Sequence, residues 1–174
     1  MPNIYLVGMM GSGKSVTGKK LAELLSYSFL DLDECIQQKI GRTINDIFQN
    51  DGEISFRDQE QKVLQETVLL DKRVVATGGG TVLKTENVSV MKRTGKIIFL
   101  ETSLNILWER VKHKKDRPLL KGQDPFENLK KIFTDRETVY KNSADLVVNT
   151  DGLTAEAAAI KVFEKLRNCE KNPS

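Results

Sequence analysis

Residues Gly8–Ser15 read GMMGSGKS and follow directly on the short apolar run Ile4–Val7. A helical pattern containing Leu21, Leu24 and Leu25 comes next. The pattern G-x-x-x-x-G-K-S between a strand and a helix is typical of a phosphate-binding loop. Its glycines let successive backbone N–H groups turn toward phosphate oxygens, and the helix N-terminus adds a partial positive charge. The stretch therefore predicts a nucleotide site at the end of a buried first strand.

Two side chains of this loop carry chemistry. The ammonium group of Lys14 can reach the β- and γ-phosphates of a nucleotide, and the hydroxyl of Ser15 can ligate Mg²⁺. A glycine-rich turn without a ligand is the alternative, and the strand before and helix after the loop argue against it.

Short β-branched runs alternate with longer helical patterns along the whole chain. The predicted strands are Ile4–Val7, Phe29–Leu32, Val74–Thr77, Ile97–Leu100 and Leu146–Asn149. Continuous apolar strands separated by helices predict crossover connections and a mostly parallel sheet that is covered on both faces. The fold class is therefore α/β, and ligands are expected beyond the carboxyl ends of the strands.

Four residues mark predicted helix ends. Ser103 and Thr154 precede helical patterns and are predicted N-caps. Gly41 and Gly95 follow helical patterns and are predicted C-terminal stops. These boundaries agree with the alternation of strands and helices.

The second predicted strand ends in the stretch Leu30-Asp31-Leu32-Asp33-Glu34, in which Asp31 lies inside the strand and Asp33 directly after it. Alternation along a strand would place Asp31 and Asp33 on one face at its carboxyl end. Beside a phosphate-binding loop, one carboxylate could lie near a cation while the other accepts a proton from a hydroxyl. The competing interpretation, in which Asp33 only caps the next helix, stays open.

The third predicted strand runs into Gly78, Gly79 and Gly80. Three glycines at the carboxyl end of a strand expose backbone N–H groups and admit a ligand closely. A tight turn into the next helix would need only one glycine. The triplet therefore favours a ligand-binding turn.

Three arginines stand in contexts that suit anion binding, although from composition alone each is more often a solvated surface charge. Arg57 and Arg136 lie in helical patterns, and Arg117 lies in the charged stretch Lys112–Asp124. Guanidinium groups bind carboxylates in a bidentate manner. The composition of residues 112–124 suits a lid that closes over phosphates.

Composition sets the remaining limits. The chain has 174 residues, a net charge of +3 and an apolar fraction of 39%, which is typical of one globular domain. We expect that domain over residues 1–170 and a tail over 171–174. We expect no membrane span, no secretory signal and no nucleic-acid partner. Cys35 and Cys169 fit the free thiols of a cytoplasmic protein, and His113 fits a surface residue, so no zinc site is expected.

Taken together, these segments are similar to the shikimate kinase family over about Ile4–Thr150. The matching segments, in the family's order, are GMMGSGKS, LDLDE, GRTINDIF with DGEISFR, TGGGTV, DRPLL, and RETVY followed by SADLVVNT. The resemblance implies a three-layer P-loop kinase fold with a five-stranded parallel sheet in the order 2-3-1-4-5. It also implies transfer of the γ-phosphoryl group of ATP to the 3-hydroxyl of shikimate, on the route to chorismate and the aromatic amino acids.

The resemblance also assigns roles by position. The ATP-binding residues would be Gly11, Ser12, Gly13, Lys14, Ser15, Val16, Arg110 and Arg117. The shikimate-binding residues would be Asp33, Arg57, Gly78, Gly79, Gly80 and Arg136. Mg²⁺ would be held by Ser15 and, through water, by Asp31. The catalytic groups would be Asp33 as base or orienter, with Lys14 and the lid arginine Arg117.

Three regions take their expected roles from the same resemblance. Helices over about residues 33–61 would bind the substrate, residues 112–124 would form the lid, and Arg110 would pack near the adenine. The segment Asn149–Thr154, where relatives often place a basic residue or a proline beside the adenine, has neither. The second wall of the adenine site is therefore not identified. The family also favours a monomer.

A catalytically inactive relative that only binds is disfavoured because every expected catalytic position is filled, and two further alternatives remain at this point. The first is another small-metabolite kinase with the same loop, such as a gluconate kinase. It is disfavoured because Asp33, Arg57, Arg136 and the triple glycine fit a small polyhydroxylated acid of the resembled kind best. The second is a nucleotide-switched interaction module of the GTPase type. Such modules usually carry N-K-x-D and D-x-x-G, and neither pattern occurs in the sequence.

Overall fold

The computed structural model describes residues 2–67, 69–114, 118–120 and 122–171. Within these residues one parallel sheet is formed by β1 (Asn3–Val7), β2 (Ser28–Asp31), β3 (Arg73–Ala76), β4 (Gly95–Glu101) and β5 (Leu146–Asn149). The strands lie in the order β2-β3-β1-β4-β5, and every neighbouring pair is parallel. The predicted fold class and strand order are confirmed.

Helices connect the strands and cover both faces of the sheet. They are α1 (Lys14–Leu25), α2 (Leu32–Ile40), α3 (Ile44–Asn50), α4 (Gly52–Thr67), α5 (Thr85–Thr94), α6 (Leu104–Val111), α7 (Pro125–Ser143) and α8 (Ala155–Lys171). Short 3₁₀ turns occur at Thr81–Leu83 and Pro118–Leu120. The tail was expected over residues 171–174, but α8 continues to Lys171. Residues 172–174 lie outside the described part of the chain.

The two-residue period of the strands divides the core into two apolar clusters, one on each face of the sheet. From β1, Ile4 and Leu6 pack against α1 and α8. Tyr5 and Val7 point to the other face, where the cluster includes residues of α2, α4, α5, α6 and α7. The result is the expected three-layer arrangement. None of the described helices has the length and apolar character needed to cross a membrane.

The second strand ends at Asp31, one residue earlier than predicted, and α2 begins at Leu32. The Oδ1 atom of Asp31 accepts hydrogen bonds from the backbone N–H groups of Asp33 and Glu34, at 3.0 and 3.4 Å. Asp31 is therefore the helix cap, and Asp33 lies in the first helical turn. The expectation that both acids share a strand face is wrong, and so is the alternative that Asp33 is the cap.

The two predicted glycine stops have different physical causes. Gly41 caps α2 with φ of 72°, which is the left-handed conformation predicted for it. Gly95 instead begins β4 with an extended backbone. A Cβ atom at Gly95 would overlap the carbonyl oxygen of Asn3 on β1, so close strand approach requires this glycine. Gly95 follows the last residue of α5 as predicted, but its backbone is extended and not left-handed.

The predicted N-caps also differ in how they act. The Thr154 hydroxyl accepts a hydrogen bond from the backbone N–H of Ala157 at 3.2 Å, as expected for a cap of α8. Ser103 occupies the N-cap position of α6, but its side chain makes no cap hydrogen bond.

Candidate active site

Two adjoining cavities lie at the carboxyl edge of the sheet. The larger has a volume of about 900 Å³ and the smaller about 70 Å³. Residues of both walls include Met10, Asp33, Ile44, Gly79 and Pro118, so the two spaces share a boundary. Every predicted site residue in the described part of the chain lines one of them, whereas Arg117 lies outside the described residues.

The larger cavity contains the phosphate-binding loop. The predicted residues that line it are Gly11, Ser12, Gly13, Lys14, Ser15, Val16, Asp31, Asp33 and Arg110. Gly11 and Gly13 have φ of 83° and 88°, a left-handed conformation that favours glycine. This backbone places the loop directly before the N-terminus of α1, where its N–H groups are available to an anion.

Helix α6 supports the loop from outside. Nη1 of Arg110 donates to the Gly11 carbonyl at 3.0 Å. A Cβ atom at Gly11 would lie 2.8 Å from Cγ1 of Val111, so the loop and the helix are in close contact. Within the loop, Nζ of Lys14 donates to the carbonyls of Gly8 and Met9, both at 2.9 Å. These hydrogen bonds hold the ammonium group of Lys14 inside the curve of the phosphate-binding loop.

Ser15 and Asp31 form an oxygen-rich corner of the larger cavity. The Ser15 hydroxyl donates to Oδ2 of Asp31 at 2.5 Å, and Oδ1 of Asp31 is occupied by the cap of α2. In the described residues, no cluster of three or more His, Cys, Asp or Glu side chains could hold a metal ion. A hydroxyl and one carboxylate fit Mg²⁺, which binds few protein oxygens and keeps water and phosphate ligands.

The larger cavity is also lined by Arg110, Thr150, Leu153 and Thr154. Leu153 belongs to the segment where the resemblance left the second adenine wall open. Its side chain supplies apolar surface there, although the segment has neither a proline nor a basic residue. The hydroxyls of Thr150 and Thr102 are hydrogen bonded at 2.8 Å, which ties this segment to the end of β4.

The smaller cavity brings together residues from four parts of the chain. The predicted residues that line it are Asp33, Arg57, Gly78, Gly79, Gly80 and Arg136. Asp33 comes from α2, Arg57 from α4, Arg136 from α7, and the glycines follow β3. Two cations, one carboxylate and the glycine backbone therefore line one small space, which suits a polar molecule with an anionic group.

The two arginines have different surroundings. Arg57 is held by Glu60 and Glu53, each at 3.0 Å. Burial lowers the pKa of Arg57, but these two carboxylates outweigh burial and raise the pKa above its ordinary value. Arg136 is 8% exposed, and no salt bridge joins it to a carboxylate within the residues that the structure describes. A buried cation of this kind favours an anionic ligand.

Glu60 is the main residue of this region that sequence reasoning missed. It is fully buried, accepts from Nη1 of Arg57 at 3.0 Å and accepts from the Thr81 hydroxyl at 2.6 Å. Its spacing of three residues from Arg57 on one helix is a signal that could have found it. Glu60 fixes Arg57 and links α4 to the turn that follows β3.

The three glycines line the smaller cavity as predicted, but for different reasons. None has positive φ. A Cβ atom at Gly78 would overlap the Glu60 carboxylate, and one at Gly80 would overlap the Arg57 guanidinium. At Gly79 the nearest atoms would be 3.7 Å away, which is ordinary contact. The observed positions of Glu60 and Arg57 therefore leave no room for a side chain at Gly78 or Gly80, a packing role that the expectation of ligand access did not include.

The stretch 112–124 lies beside both cavities where it is described. Lys114 and Pro118 line the larger cavity, and Pro118 and Leu119 line the smaller one. The expected lid arginine, Arg117, and its neighbours Lys115, Asp116 and Lys121 lie outside the described residues.

Comparison with known proteins gives consistent matches. The family model described as shikimate kinase matches residues 10–167. A shikimate kinase from Sulfurihydrogenibium sp. (strain YO3AOP1) is 42% identical over 167 residues, which is 96% of this chain and 99% of the relative. A shikimate kinase from Thermodesulfovibrio yellowstonii is 40% identical over 171 residues, or 97% of this chain and 98% of the relative.

A solved structure shows the same similarity in three dimensions. It is the shikimate kinase from Acinetobacter baumannii in complex with shikimate, at 36% identity and a TM-score of 0.96. The match covers 99% of this chain and 96% of that chain.

Proposed function

The chain belongs to the shikimate kinase family, and from this premise we propose how its two cavities divide the substrates. It is a phosphotransferase that uses ATP and acts on an alcohol, converting shikimate to shikimate 3-phosphate. In our proposal ATP occupies the larger cavity and shikimate the smaller one. The observation that carries this proposal is the position of Asp33, which lines both cavities at their boundary.

The larger cavity offers groups for each part of ATP. The backbone of Gly11–Ser15 and the N-terminus of α1 would bind the phosphates, with Val16 beside them. Lys14 would exchange its loop carbonyls for the β- and γ-phosphates and stabilise the charge that develops there. Arg110 would lie on the adenine as a planar cation, and Leu153 would contact the adenine as an apolar wall.

Mg²⁺ would be held by the hydroxyl of Ser15 and, through water, by Asp31. Bound there, the ion would neutralise phosphate charge during transfer. The cap hydrogen bonds keep Asp31 in place because its second oxygen is anchored to the first turn of α2. This anchoring leaves Oδ2 as the oxygen that faces Ser15.

The smaller cavity offers complementary groups for a small polyhydroxylated acid. Arg136 would bind the shikimate carboxylate. Arg57, which keeps its salt bridges to Glu60 and Glu53, would assist it. Backbone groups of Gly78, Gly79 and Gly80 would line the ring. Anchoring the carboxylate at α7 holds the hydroxyls toward Asp33, which converts binding energy into orientation of the reacting group.

Asp33 would act on the attacking hydroxyl. The oxygen of the 3-hydroxyl forms a bond to the γ-phosphorus, the bond from that phosphorus to the bridging oxygen of ADP breaks, and the hydroxyl proton passes to the Asp33 carboxylate. Lys14 and Arg117 would offset the negative charge of the transferred group. The transition state is loose, so positioning and charge stabilisation carry most of the catalysis.

The activity is tested by a coupled ADP-release assay that offers shikimate, gluconate and quinate side by side. We expect turnover with shikimate and none above background with the other two acids. Excess chelator should abolish the turnover, and added Mg²⁺ should restore it. Turnover with gluconate alone would contradict the proposed substrate, and full turnover in chelator would contradict the metal assignment.

Residues 112–124 are proposed as a lid over ATP, supported by Lys114 and Pro118 at the larger cavity and Leu119 at the smaller one. Closing such a segment would exclude water from the transferred group. We expect amide hydrogen exchange over these residues to slow when an unreactive ATP analogue and shikimate are added together. Equal exchange with and without the two ligands would count against the lid.

The proposal also places a monomeric enzyme in the cytoplasm. One copy of the chain carries all the described groups that are proposed to bind ATP and shikimate, which supports a monomer. The reaction also consumes ATP, which the cytoplasm supplies. Light scattering is expected to give the mass of one chain, 19.6 kDa, and a dimer at assay concentration would contradict this point.

A further inference from the structure

Tyr140 lies one helical turn after Arg136 on α7 and is fully buried. Its hydroxyl donates a hydrogen bond to the carbonyl oxygen of Gly79. The same oxygen accepts from Nη1 of Arg136 at 3.3 Å. The phenol oxygen also lies 3.7 Å from Sδ of Met9 in the phosphate-binding loop. One hydroxyl therefore contacts the boundary between the two cavities without lining either of them.

The ring that carries this hydroxyl is packed against the sheet. The Tyr140 ring stacks on Phe99 of β4 with a centroid distance of 5.1 Å and an interplanar angle of 17°. Burial raises the pKa of Tyr140 to about 12, against the opposing influence of Arg136. The phenol is therefore neutral at physiological pH and is available as a hydrogen-bond donor.

The Gly79 carbonyl, which accepts this hydrogen bond, needs such an anchor more than an ordinary backbone carbonyl does. Gly79 is followed by Gly80, and two adjacent glycines leave the intervening peptide wide rotational freedom. The peptide is planar and trans, so the direction of the Gly79 carbonyl also sets the direction of the Gly80 N–H group. The carbonyl has two lone pairs, which accommodate Tyr140 and Arg136 together.

Arg136 depends on the same carbonyl. Its guanidinium donates to Gly79, and it has no carboxylate partner among the described residues to hold it. A carbonyl fixed by Tyr140 therefore gives the guanidinium a fixed point of attachment. If the peptide rotates, both the backbone lining of the smaller cavity and this attachment point move.

We propose that Tyr140 is a positioning residue for the acceptor substrate. Its hydroxyl holds the Gly79 carbonyl and so orients the Gly79–Gly80 peptide and the Arg136 guanidinium toward the carboxylate of shikimate. This inference rests on the proposed placement of that carboxylate at Arg136. Tyr140 acts through these groups and does not touch the reacting atoms.

The test is Tyr140→Phe, which removes one oxygen and keeps the ring on Phe99. We expect the KM and the calorimetric Kd for shikimate to rise about tenfold, the effect of one lost hydrogen bond of about 1.4 kcal/mol. The KM for ATP should stay within about twofold and kcat within about threefold. This separation is the signature of positioning, since general loosening of the fold would not select one substrate.

Tyr5→Phe is the matched control. Tyr5 is as fully buried as Tyr140, and its hydroxyl is hydrogen bonded to Thr94 at 2.7 Å, next to the start of β4 and away from both cavities. The control removes the same atom from the same core cluster. We expect its thermal stability to fall comparably and its shikimate KM to stay at the wild-type value.

A double-mutant comparison separates this inference from the proposed function. If Tyr140 acts through Arg136, adding Tyr140→Phe to Arg136→Ala should raise the shikimate KM by less than about threefold more. An unchanged shikimate KM in Arg136→Ala would contradict the proposed placement of the shikimate carboxylate at Arg136, on which this inference rests. A large effect of Arg136→Ala together with an unchanged shikimate KM and Kd in Tyr140→Phe would overturn the role of Tyr140 alone. An equal rise of both KM values would overturn it too.

Discussion

Replacing Asp33 by asparagine is expected to lower kcat by about 10²–10⁴-fold and to leave ATP affinity nearly unchanged. The amide keeps the size and much of the hydrogen-bonding capacity of the carboxylate, but it cannot accept the proton of the attacking hydroxyl. Asp33 lines both cavities, whereas the groups proposed for the phosphates, apart from Arg117, belong to the loop and to α1. The loss should therefore fall on the chemical step.

The measurement is steady-state ADP release with shikimate, combined with calorimetric titration of ATP. Asp58→Asn is a suitable control, because it makes the same chemical change at an exposed position on α4, where Asp58 pairs with Lys84 at 2.7 Å. The control should match wild type in both measurements. Near-normal kcat in Asp33→Asn would exclude Asp33 as base or orienter. A collapse of ATP binding would place it with the nucleotide instead.

Replacing Arg136 by alanine is expected to raise the shikimate KM by about 10²–10³-fold while the ATP KM stays within about twofold. Truncating one partner of a buried charge pair costs about 2–5 kcal/mol, part of which is the penalty on the charge left behind. Arg136 is 8% exposed and has no acidic partner among the described residues. Its full charge is therefore available to the substrate carboxylate.

We expect Arg136→Ala to raise the shikimate KM more than Arg57→Ala does, because the two arginines have different surroundings. Arg57 is already neutralised by Glu60 and Glu53, so Arg57→Ala should raise the shikimate KM less. Lys131→Ala removes a positive charge from an exposed position on the same helix and should leave both KM values unchanged. If Arg136→Ala raises only the ATP KM, the guanidinium has been placed in the wrong cavity.

Features that depend on neighbouring residues were predictable. The phosphate-binding loop is recognisable because its glycines and Lys14 lie within eight consecutive residues between a strand and a helix. The strands follow from short β-branched runs, and the parallel sheet follows from the helices between them. Boundaries were less certain, as at Asp31, because a cap depends on where the chain turns into a helix and not on residue type alone.

Roles that depend on distant contacts were not predictable in the same way. Tyr140 and Gly79 are 61 positions apart, and Thr81 and Glu60 are 21 apart. No periodicity connects such pairs. The triple glycine shows the difference, because the sequence suggested ligand access, and only the structure showed that a side chain at Gly78 or Gly80 would overlap Glu60 or Arg57 in their observed positions.

The sequence by itself determined the α/β class and the phosphate-binding loop pattern, and the family resemblance predicted the strand order and the arginines and acids of the proposed site. These depend on local spacing and on residue chemistry. Only the tertiary structure decided that Asp31 caps α2 while Asp33 lies between the cavities, that Glu60 holds Arg57, and that Tyr140 anchors Gly79. The physical reason is that side chains from different elements meet only when the packed helices bring them to one edge of the sheet.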